Sequence, residues 1–258
     1  MTSKDRQRQL ERERYERVRA RMASDRATAK KRNVVAAITI LVTVVVVAAG
    51  VIFLTSGNDT KKAPAAASAP TSTAPAGGYL KTGTASKDVG VPVFDAAAAA
   101  KPYSATLQLT QGDVTFTANT AKAPHTTFSF EYLAGKGYFD NTKCHRLTTS
   151  GIFVLQCGDP AGTGAGGPGY QFPDENLTGA TYPAGTIAMA NAGPGTNGSQ
   201  FFIVYKDTQL PPSYTPWGTV TAGLDVVGKI AATGTANGSG DGAPKTDVMI
   251  KKAVITAG

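Results

Sequence analysis

Residues 189–202 read Met189-Ala-Asn-Ala-Gly-Pro-Gly-Thr-Asn-Gly-Ser-Gln-Phe-Phe202, fourteen residues without a charge. A hydrophobic, strand-like segment, Gly185–Ala190, leads into the run, and another, Phe201–Tyr205, leads out of it. Between them stand three Gly, one Pro and two Asn, residues that favour turns and positive φ. A segment that turns this tightly and still carries Asn191, Gln200 and Phe202 reads as one wall of a binding groove.

Upstream, Ala105–Leu109 and Val114–Ala118 read as a hairpin around Gln111-Gly112-Asp113. Pro124 and then His125–Leu133 read as a short amphipathic helix, with Phe128 and Leu133 toward the core. Cys144–Leu147 and Phe153–Cys157 read as strands around Thr149-Ser150-Gly151. Downstream, Trp217–Val220 and Val248–Ile255 read as strands, and Leu224–Ala231 behind Gly223 as a helix. Many short strands with two helices predict a mainly β domain, a barrel rather than a parallel α/β sheet. Roughly 155 residues suffice for one core.

The chain has 258 residues and a net charge of +8, unevenly placed. Residues 1–33 hold twelve Lys/Arg against five Asp/Glu, and the remaining 225 residues hold fourteen against thirteen. The body is nearly neutral and the basicity belongs to a tail, read as solvated, partly helical and cytoplasmic. With no aromatic beyond Tyr15 to stack on bases, nucleic-acid binding is not expected. Val34–Leu54 then runs 21 residues without a charge, about 31 Å as a helix, which is the thickness of a bilayer's hydrocarbon core. Lys30-Lys31-Arg32 stands before it, so the positive-inside rule places the N-terminus in the cytoplasm and the rest outside, in a single-pass cell-membrane protein. The run exceeds the h-region of a signal peptide, and no small-x-small site directly follows Leu54. Residues 55–101 read as an Ala/Pro/Ser/Thr-rich tether and extension. Within them Val89–Phe94 is able to lie along the domain, and Ala96–Ala100 to form a short helix. The domain proper is read as 102–258.

Five ordered motifs carry a resemblance to the cyclophilins, the prolyl isomerases. Cys144-His145-Arg146 resembles their Phe-His-Arg, and Phe153-Val154-Leu155-Gln156-Cys157-Gly158-Asp159 their Phe-Met-x-Gln-Gly-Gly-Asp. Gly162–Tyr170 (GTGAGGPGY) with Asp174-Glu175 matches the glycine-rich loop and its acidic end. Met189–Phe202 follows, then Trp217-Gly218 with Gly223–Ile230 (GLDVVGKI). The match spans about residues 103–256, and VLQCGDPAGTG and LPPSYT look most like the membrane-anchored cyclophilins of actinobacteria. The resemblance implies a closed eight-stranded antiparallel barrel capped by two helices, with a site on its outer face that isomerises X–Pro bonds.

Such a catalyst needs no nucleophile, metal or cofactor. C–N resonance imposes a barrier of roughly 18–20 kcal/mol, and the catalyst must stabilise a twisted amide whose nitrogen has regained its lone pair. A fixed guanidinium beside the prolyl nitrogen does this, and Arg146 is the matching residue, always charged and with donors in a rigid fork. By resemblance Gln156 and Asn191 hold the substrate backbone, and Gln200 supports Arg146 or a neighbouring main-chain group. Phe153, Val154, Phe202, Leu210 and Tyr214 correspond to the apolar socket for the proline ring, and Ala190 lines the groove. The expected partners are proline-containing polypeptides, with the protein a monomer. Val154 replaces the usual Met, Tyr214 stands where many members carry His, and Gln209 falls near a Trp of cyclosporin-sensitive members, which predicts weakened cyclosporin binding. Two extra residues lie between Arg146 and Gln156, assigned to the Thr148–Gly151 turn.

Other patterns carry less. Gly162-Thr-Gly164-Ala-Gly166-Gly167 contains a formal GxGxxG, yet Pro168-Gly169 follows instead of a helix, and no acidic residue sits about twenty on. His125 and His145 are the only histidines, so no His-based metal site is expected, and His145 reads as a hydrogen-bonded interior residue. Cys144 and Cys157 lie on neighbouring strands, outside the membrane where disulfides persist. Yet Arg146 and Gln156 must share a face, which in a simple ladder points the two cysteines oppositely. A bulge near Gly158 removes the conflict, so a disulfide and two free thiols both stand open. The expected function is isomerisation of X–Pro bonds in exported or envelope proteins, assisting their folding. The alternative is a non-catalytic proline-peptide binding or scaffold module with the same groove.

Overall fold

The computed structural model describes residues 78–258. The basic tail, the Val34–Leu54 segment and most of the tether lie outside the described residues. Among the described residues no helix is long and apolar enough to cross a membrane.

The elements in chain order are β1 (Leu80–Lys81), α1 (Ala96–Ala99), β2 (Tyr103–Leu109), β3 (Gly112–Ala118), α2 (Pro124–Gly135), β4 (Thr142–Lys143), β5 (Arg146–Thr148), β6 (Val154–Cys157), β7 (Tyr170–Gln171), β8 (Thr186–Met189), β9 (Phe201–Val204), β10 (Pro216–Ala222), α3 (Leu224–Ala232), β11 (Asp241–Gly242) and β12 (Met249–Ala257). Ten strands form one sheet in the order β11-β5-β6-β9-β8-β10-β3-β2-β12-β4, every pairing antiparallel. Eight of them make a continuous ladder from β5 to β12. The two-residue strands β11 and β4 are added at its ends, and the end strands are not hydrogen-bonded to each other.

Period-two patterning sets the inner face. In β2 the side chains of Tyr103, Ala105, Leu107 and Leu109 are buried in alternation, and in β3 those of Val114, Phe116 and Ala118 follow suit, as successive strand residues point to opposite faces. Leu147 from one end of the sheet and Ile250 from the other join the same core, with Trp217, Phe201 and Ile203 between them. An inner face that converges on one cluster is a curled sheet. The sequence predicted a single strand over Cys144–Leu147. Instead the chain pairs with β12 through Thr142 and Lys143, breaks at Cys144-His145, and pairs with β6 from Arg146 onward. Two residues of main chain thus link the sheet's two ends.

Helix α2 starts at Pro124, a residue suited to a helical first turn. Its preceding residue, Ala123, makes no side-chain cap. The cap comes from Glu175, whose carboxylate accepts the N–H groups of His125 (3.0 Å) and Thr126 (2.9 Å) and the Thr126 hydroxyl (2.8 Å), the favoured charge at a helix start. Phe130 and Leu133 face the core. Phe128 faces outward onto Phe94, with ring centroids 5.6 Å apart. Helix α3 follows Gly223, whose φ of 81° and the 2.0 Å from a built Cβ to Asp113 O leave room only for glycine.

Residues 78–101 are packed onto this same body. Tyr79 is buried among Phe94, Tyr170 and Phe172, and β1 pairs with β7. Val89, Val91 and Phe94 cover the core, and Tyr132 Oη donates to Val89 O at 2.5 Å. This cover half-buries Phe128 and Tyr132 on the outer side of α2.

Candidate active site

Strands β8 and β9 are buried on both faces, and this creates the site. Ile187, Met189, Phe201 and Ile203 look inward to the core. Ala188, Phe202 and Val204 look outward, where they join Val154 and Tyr182 in a second, separate hydrophobic cluster. Ala190, Leu210 and Tyr214 pack against it and are only partly buried. Tyr182 fixes the loop that supplies this rim: its hydroxyl donates to Tyr214 O at 2.8 Å and accepts from Tyr214 N–H at 3.1 Å. The Tyr214 ring meets Phe202 edge-on at 5.7 Å. The result is an apolar socket on the outer face. Phe153, predicted with this group, is not part of the cluster. One residue before Val154, its ring packs edge-on to Tyr205 at 6.0 Å, with the Lys206 ammonium 4.5 Å from its centre.

A line of polar side chains borders the socket. Arg146 and Gln156 are direct cross-strand partners, as are Gln156 and Phe202, so all three stand on one face. Arg146 Nη1 donates to Gln156 Oε1 at 3.1 Å. Gln156 Nε2 donates to Gln200 Oε1 at 2.9 Å. Gln200 Nε2 donates to the carbonyls of Gly164 (3.0 Å) and Gly166 (2.9 Å). Each amide is oriented by its neighbours, so Arg146 meets an acceptor that cannot flip without breaking the line. Gln200 therefore supports Arg146 through Gln156, not by direct contact.

The other side of the guanidinium is held by a residue that the sequence reading did not single out. Arg146 Nε and Nη2 donate to Asp241 Oδ1 (2.8 Å) and Oδ2 (2.7 Å), a bidentate fork. Asp241 arrives on β11, paired with Thr148 of β5. The β5–β6 turn supports it: Thr149 N–H donates to Gly240 O at 2.8 Å, and Ser150 packs against Gly240. The hydrogen bond from Arg146 holds the Asp241 carboxyl below the usual range, and the bond to Asp241 raises Arg146 further. A polar loop whose Asp241 lies ninety-five residues from Arg146 offers no local signal of this pairing.

The glycine loop has its own anchor. Asp159 is fully buried, and its carboxylate accepts the N–H groups of Ala161, Thr163, Gly164 and Gly166 at 2.8–3.1 Å, plus the Thr163 hydroxyl at 3.0 Å. Burial pushes this carboxyl up, but the combined donors outweigh it and hold it low. A Cβ on Gly166 would sit 1.9 Å from Asp159 Oδ1. The loop's N–H groups are aimed at Asp159 and two of its carbonyls at Gln200, and the ring of His145 lies against Gly164. The predicted hydrogen-bonded His145 is therefore corrected: both of its buried ring nitrogens lack a partner among the described residues, and burial lowers its pKa.

Asn191 sits across the groove, its side-chain amide donating to Ser213 O at 2.8 Å. Among the described residues no hydrogen bond engages its main-chain N–H or C=O, which leaves those groups, not the side chain, for an extended ligand. Ala190 N–H is tied to Gln200 O at 3.0 Å. Cys144 and Cys157 are joined as a disulfide. The face conflict is resolved because the strand breaks between Cys144 and Arg146: Cys144 N–H still bonds Val248 O at 2.9 Å, and the cysteine turns into the core beside Cys157. Gly158, with φ 93°, adds an irregularity on the opposite strand. Among the described residues no group of three His, Cys, Asp or Glu is placed to hold a metal ion.

A sequence profile described as cyclophilin type peptidyl-prolyl cis-trans isomerase/CLD matches residues 104–255. The chain is 51% identical over 162 residues to a probable peptidyl-prolyl cis-trans isomerase B of Mycobacterium leprae, covering 57% of this chain and 55% of that protein. It is 48% identical over 166 residues to the Mycobacterium tuberculosis counterpart, covering 59% and 54%. The alignments thus span about half the length of these relatives. Human peptidyl-prolyl cis-trans isomerase-like 1 is 39% identical over 162 residues, with 59% of this chain and 92% of that protein covered. Among solved structures, a Cryptosporidium parvum cyclophilin type peptidyl-prolyl cis-trans isomerase determined in the presence of the dipeptide Ala-Pro superposes with a TM-score of 0.54 at 31% identity, over 60% of this chain and 99% of that one.

Proposed function

The chain belongs to the cyclophilin-type peptidyl-prolyl cis-trans isomerases, and from that premise we propose that it isomerises X–Pro bonds in exported or envelope proteins. The proline ring enters the socket of Val154, Ala190, Phe202, Leu210 and Tyr214, with Phe153 next to Val154 in the chain. Arg146 donates to the prolyl nitrogen as amide resonance breaks. Three of its five donor hydrogens are committed to Asp241 and Gln156, and two remain for substrate. Gln156 and the main chain of Asn191 hold the peptide while the other side of the bond turns. The ring socket alone binds ground and transition states alike and accelerates nothing. The interaction made only with the pyramidal nitrogen lowers the barrier, about 1.4 kcal/mol for each tenfold.

The single observation that carries this reading is the orientation of Arg146 by acceptors on two sides. A guanidinium fixed before substrate arrives loses little entropy in the transition state. In a protease-coupled assay on X–Pro peptides, Arg146→Ala is expected to lose most of the activity. Wild-type turnover no faster than that of Arg146→Ala overturns catalysis and leaves a proline-peptide binding module.

The proposal extends to placement. Residues 34–54 anchor the protein in the cell membrane, residues 1–33 stay in the cytoplasm, and the isomerase domain lies outside, a compartment with which the Cys144–Cys157 disulfide agrees. The full chain should pellet with membranes and be cleaved by externally added protease, and deletion of residues 1–54 should release it. A soluble full-length chain overturns the anchor.

A further inference from the structure

Both cysteines stand where the cyclophilin motifs quoted above hold other residues. Cys144 takes the place of Phe in Phe-His-Arg, and Cys157 that of the first Gly in Gln-Gly-Gly-Asp. The pair flanks the site: Cys144 lies two residues before Arg146, and Cys157 directly follows Gln156.

The ladder that brings Arg146 to Gln156 is short. Strands β5 and β6 are in register through Arg146 with Gln156 and Leu147 with Leu155. The functional pair is thus the end pair, and the end of a short ladder opens most readily. Upstream of it the chain is weakly held. Among the described residues His145 makes no main-chain hydrogen bond, and neither of its ring nitrogens has a partner. The next anchor, Cys144 N–H on Val248 O at 2.9 Å, fixes the chain beside β12 and not beside β6. Among the described residues the disulfide is what ties this stretch to β6 ahead of Arg146. Its other end is firm, since Cys157 is in register with Phe201 of β9. Both cysteines belong to the inner core, whereas the proline socket is a separate cluster. Loss of the bridge therefore reaches the guanidinium side of the site and leaves the socket packed.

We infer that the Cys144–Cys157 disulfide is a positioning clamp for this isomerase: it holds Arg146 opposite Gln156, and the domain turns over fast only once the bridge has formed. The cysteines touch no substrate and act through Arg146. Two thiols become the bridge by giving up two protons and two electrons, which the disulfide of a thiol–disulfide exchange partner takes up in becoming a dithiol. Turnover then follows the thiol poise under which the domain folds, and a chain whose thiols are kept reduced, as in a cytosol, is slow. The inference rests on the catalytic reading above.

The test uses the full chain, either oxidised or prepared in tris(2-carboxyethyl)phosphine, with thiol titration after unfolding confirming none or two free. Rates come from an isomerisation assay run without protease, and affinity from the anisotropy of a labelled X–Pro peptide. Reduction should lower kcat about tenfold, the scale of a misplacement below 1 Å, while affinity stays within about twofold. Reoxidation should restore the rate. Cys144→Ser with Cys157→Ser should be slow with or without reductant; should that pair fail to fold, the reduced wild type carries the comparison. Cys144→Phe with Cys157→Gly, which puts the motif residues back, should ignore the reductant. A response from this variant, a fast serine variant, or a reduced wild type as fast as the oxidised one overturns the clamp. So does a loss of rate matched by a loss of affinity or by unfolding in circular dichroism, which leaves the bridge a structural role alone. Arg146→Ala separates the two readings. Oxidised wild type no faster than Arg146→Ala removes catalysis and the clamp with it, whereas equal oxidised and reduced rates, both far above Arg146→Ala, remove the clamp alone.

Discussion

Removing Asp241 tests how Arg146 works, because this carboxylate touches no part of the socket. Asp241→Ala deletes two of the three hydrogen bonds that orient the guanidinium, at 2.8 and 2.7 Å. In a buried setting each charge-assisted bond contributes about 1.5–3 kcal/mol. Here the side chains are 38% and 56% exposed, and solvent reduces an exposed pair to about 1 kcal/mol or less. The bond to Gln156 remains, so the fork is loosened and not lost. A deficit of about 1 kcal/mol in the transition state lowers kcat/KM roughly fivefold, with the melting temperature nearly unchanged. The assay is protease-coupled isomerisation, repeated in an Arg146→Ala background, where Asp241→Ala should have no further effect if it acts through Arg146. Equal losses in both backgrounds refute the positioning role. A gain of activity on removing Asp241 refutes it in the other direction, by identifying the carboxylate as a competitor for the guanidinium.

Three further outcomes are expected. Asp159→Asn turns an amide toward N–H donors in a fully buried site, so it should cost about 2–4 kcal/mol of stability by chemical denaturation and, by releasing the glycine loop, also lower kcat/KM; a stable and active variant contradicts the anchor. The disulfide closes a segment with sequence separation 13, worth about 3 kcal/mol in the chain-entropy account. Cys144→Ser with Cys157→Ser should therefore be less stable by that order, and thiol titration of the unfolded wild type should find none free. Burial lowers the pKa of His145, so the folded state resists a proton that the unfolded chain accepts near pH 6.5. Stability contributed by neutral His145 is then fully present above about pH 6.5 and declines as pH falls toward the lowered folded value; His145→Phe should flatten that part of the stability profile, measured by denaturation at pH 7.5 and 5.

Short strands with strict alternation, such as Tyr103–Leu109 and Gly112–Ala118, were legible because half-buried pairing leaves a period of two in the sequence. Phe202 stood out on the charge-free turn, but the socket residues Val154, Leu210 and Tyr214 were reached only through the resemblance, since a lone apolar side chain in a strand or loop reads as core. What stayed hidden depended on partners distant in sequence. The break at Cys144-His145 arises because the chain leaves β12 for β6, a change of neighbour with no local mark. Asp241 sits in a polar loop that looks like any turn until β11 is laid beside β5. His145 was expected to find a partner, but the carboxylate at Asp159 and the amide of Gln200 had already engaged the loop beside it. The boundary placed at residue 102 followed a compositional border, whereas Tyr79, Phe94 and residues 82–86 cross it because their contacts are with α2 and the glycine loop.

The position of β12 has a consequence for how the domain comes into being. Residues 249–257 lie between β2 and β4, pairing Ala253 with Leu107 and Met249 with Lys143. Until they leave the ribosome, the β2 edge of the first hairpin is unpaired, and the core cluster lacks Ile250 and Ala253. The domain therefore cannot be completed hairpin by hairpin as synthesis proceeds; nearly all of it must wait for its last strand. The waiting chain exposes an apolar edge throughout elongation, the condition in which a nascent β protein recruits holding chaperones. Loss of residues 249–257 should act as an all-or-none defect in solubility, unlike the graded loss caused by a point change in the groove.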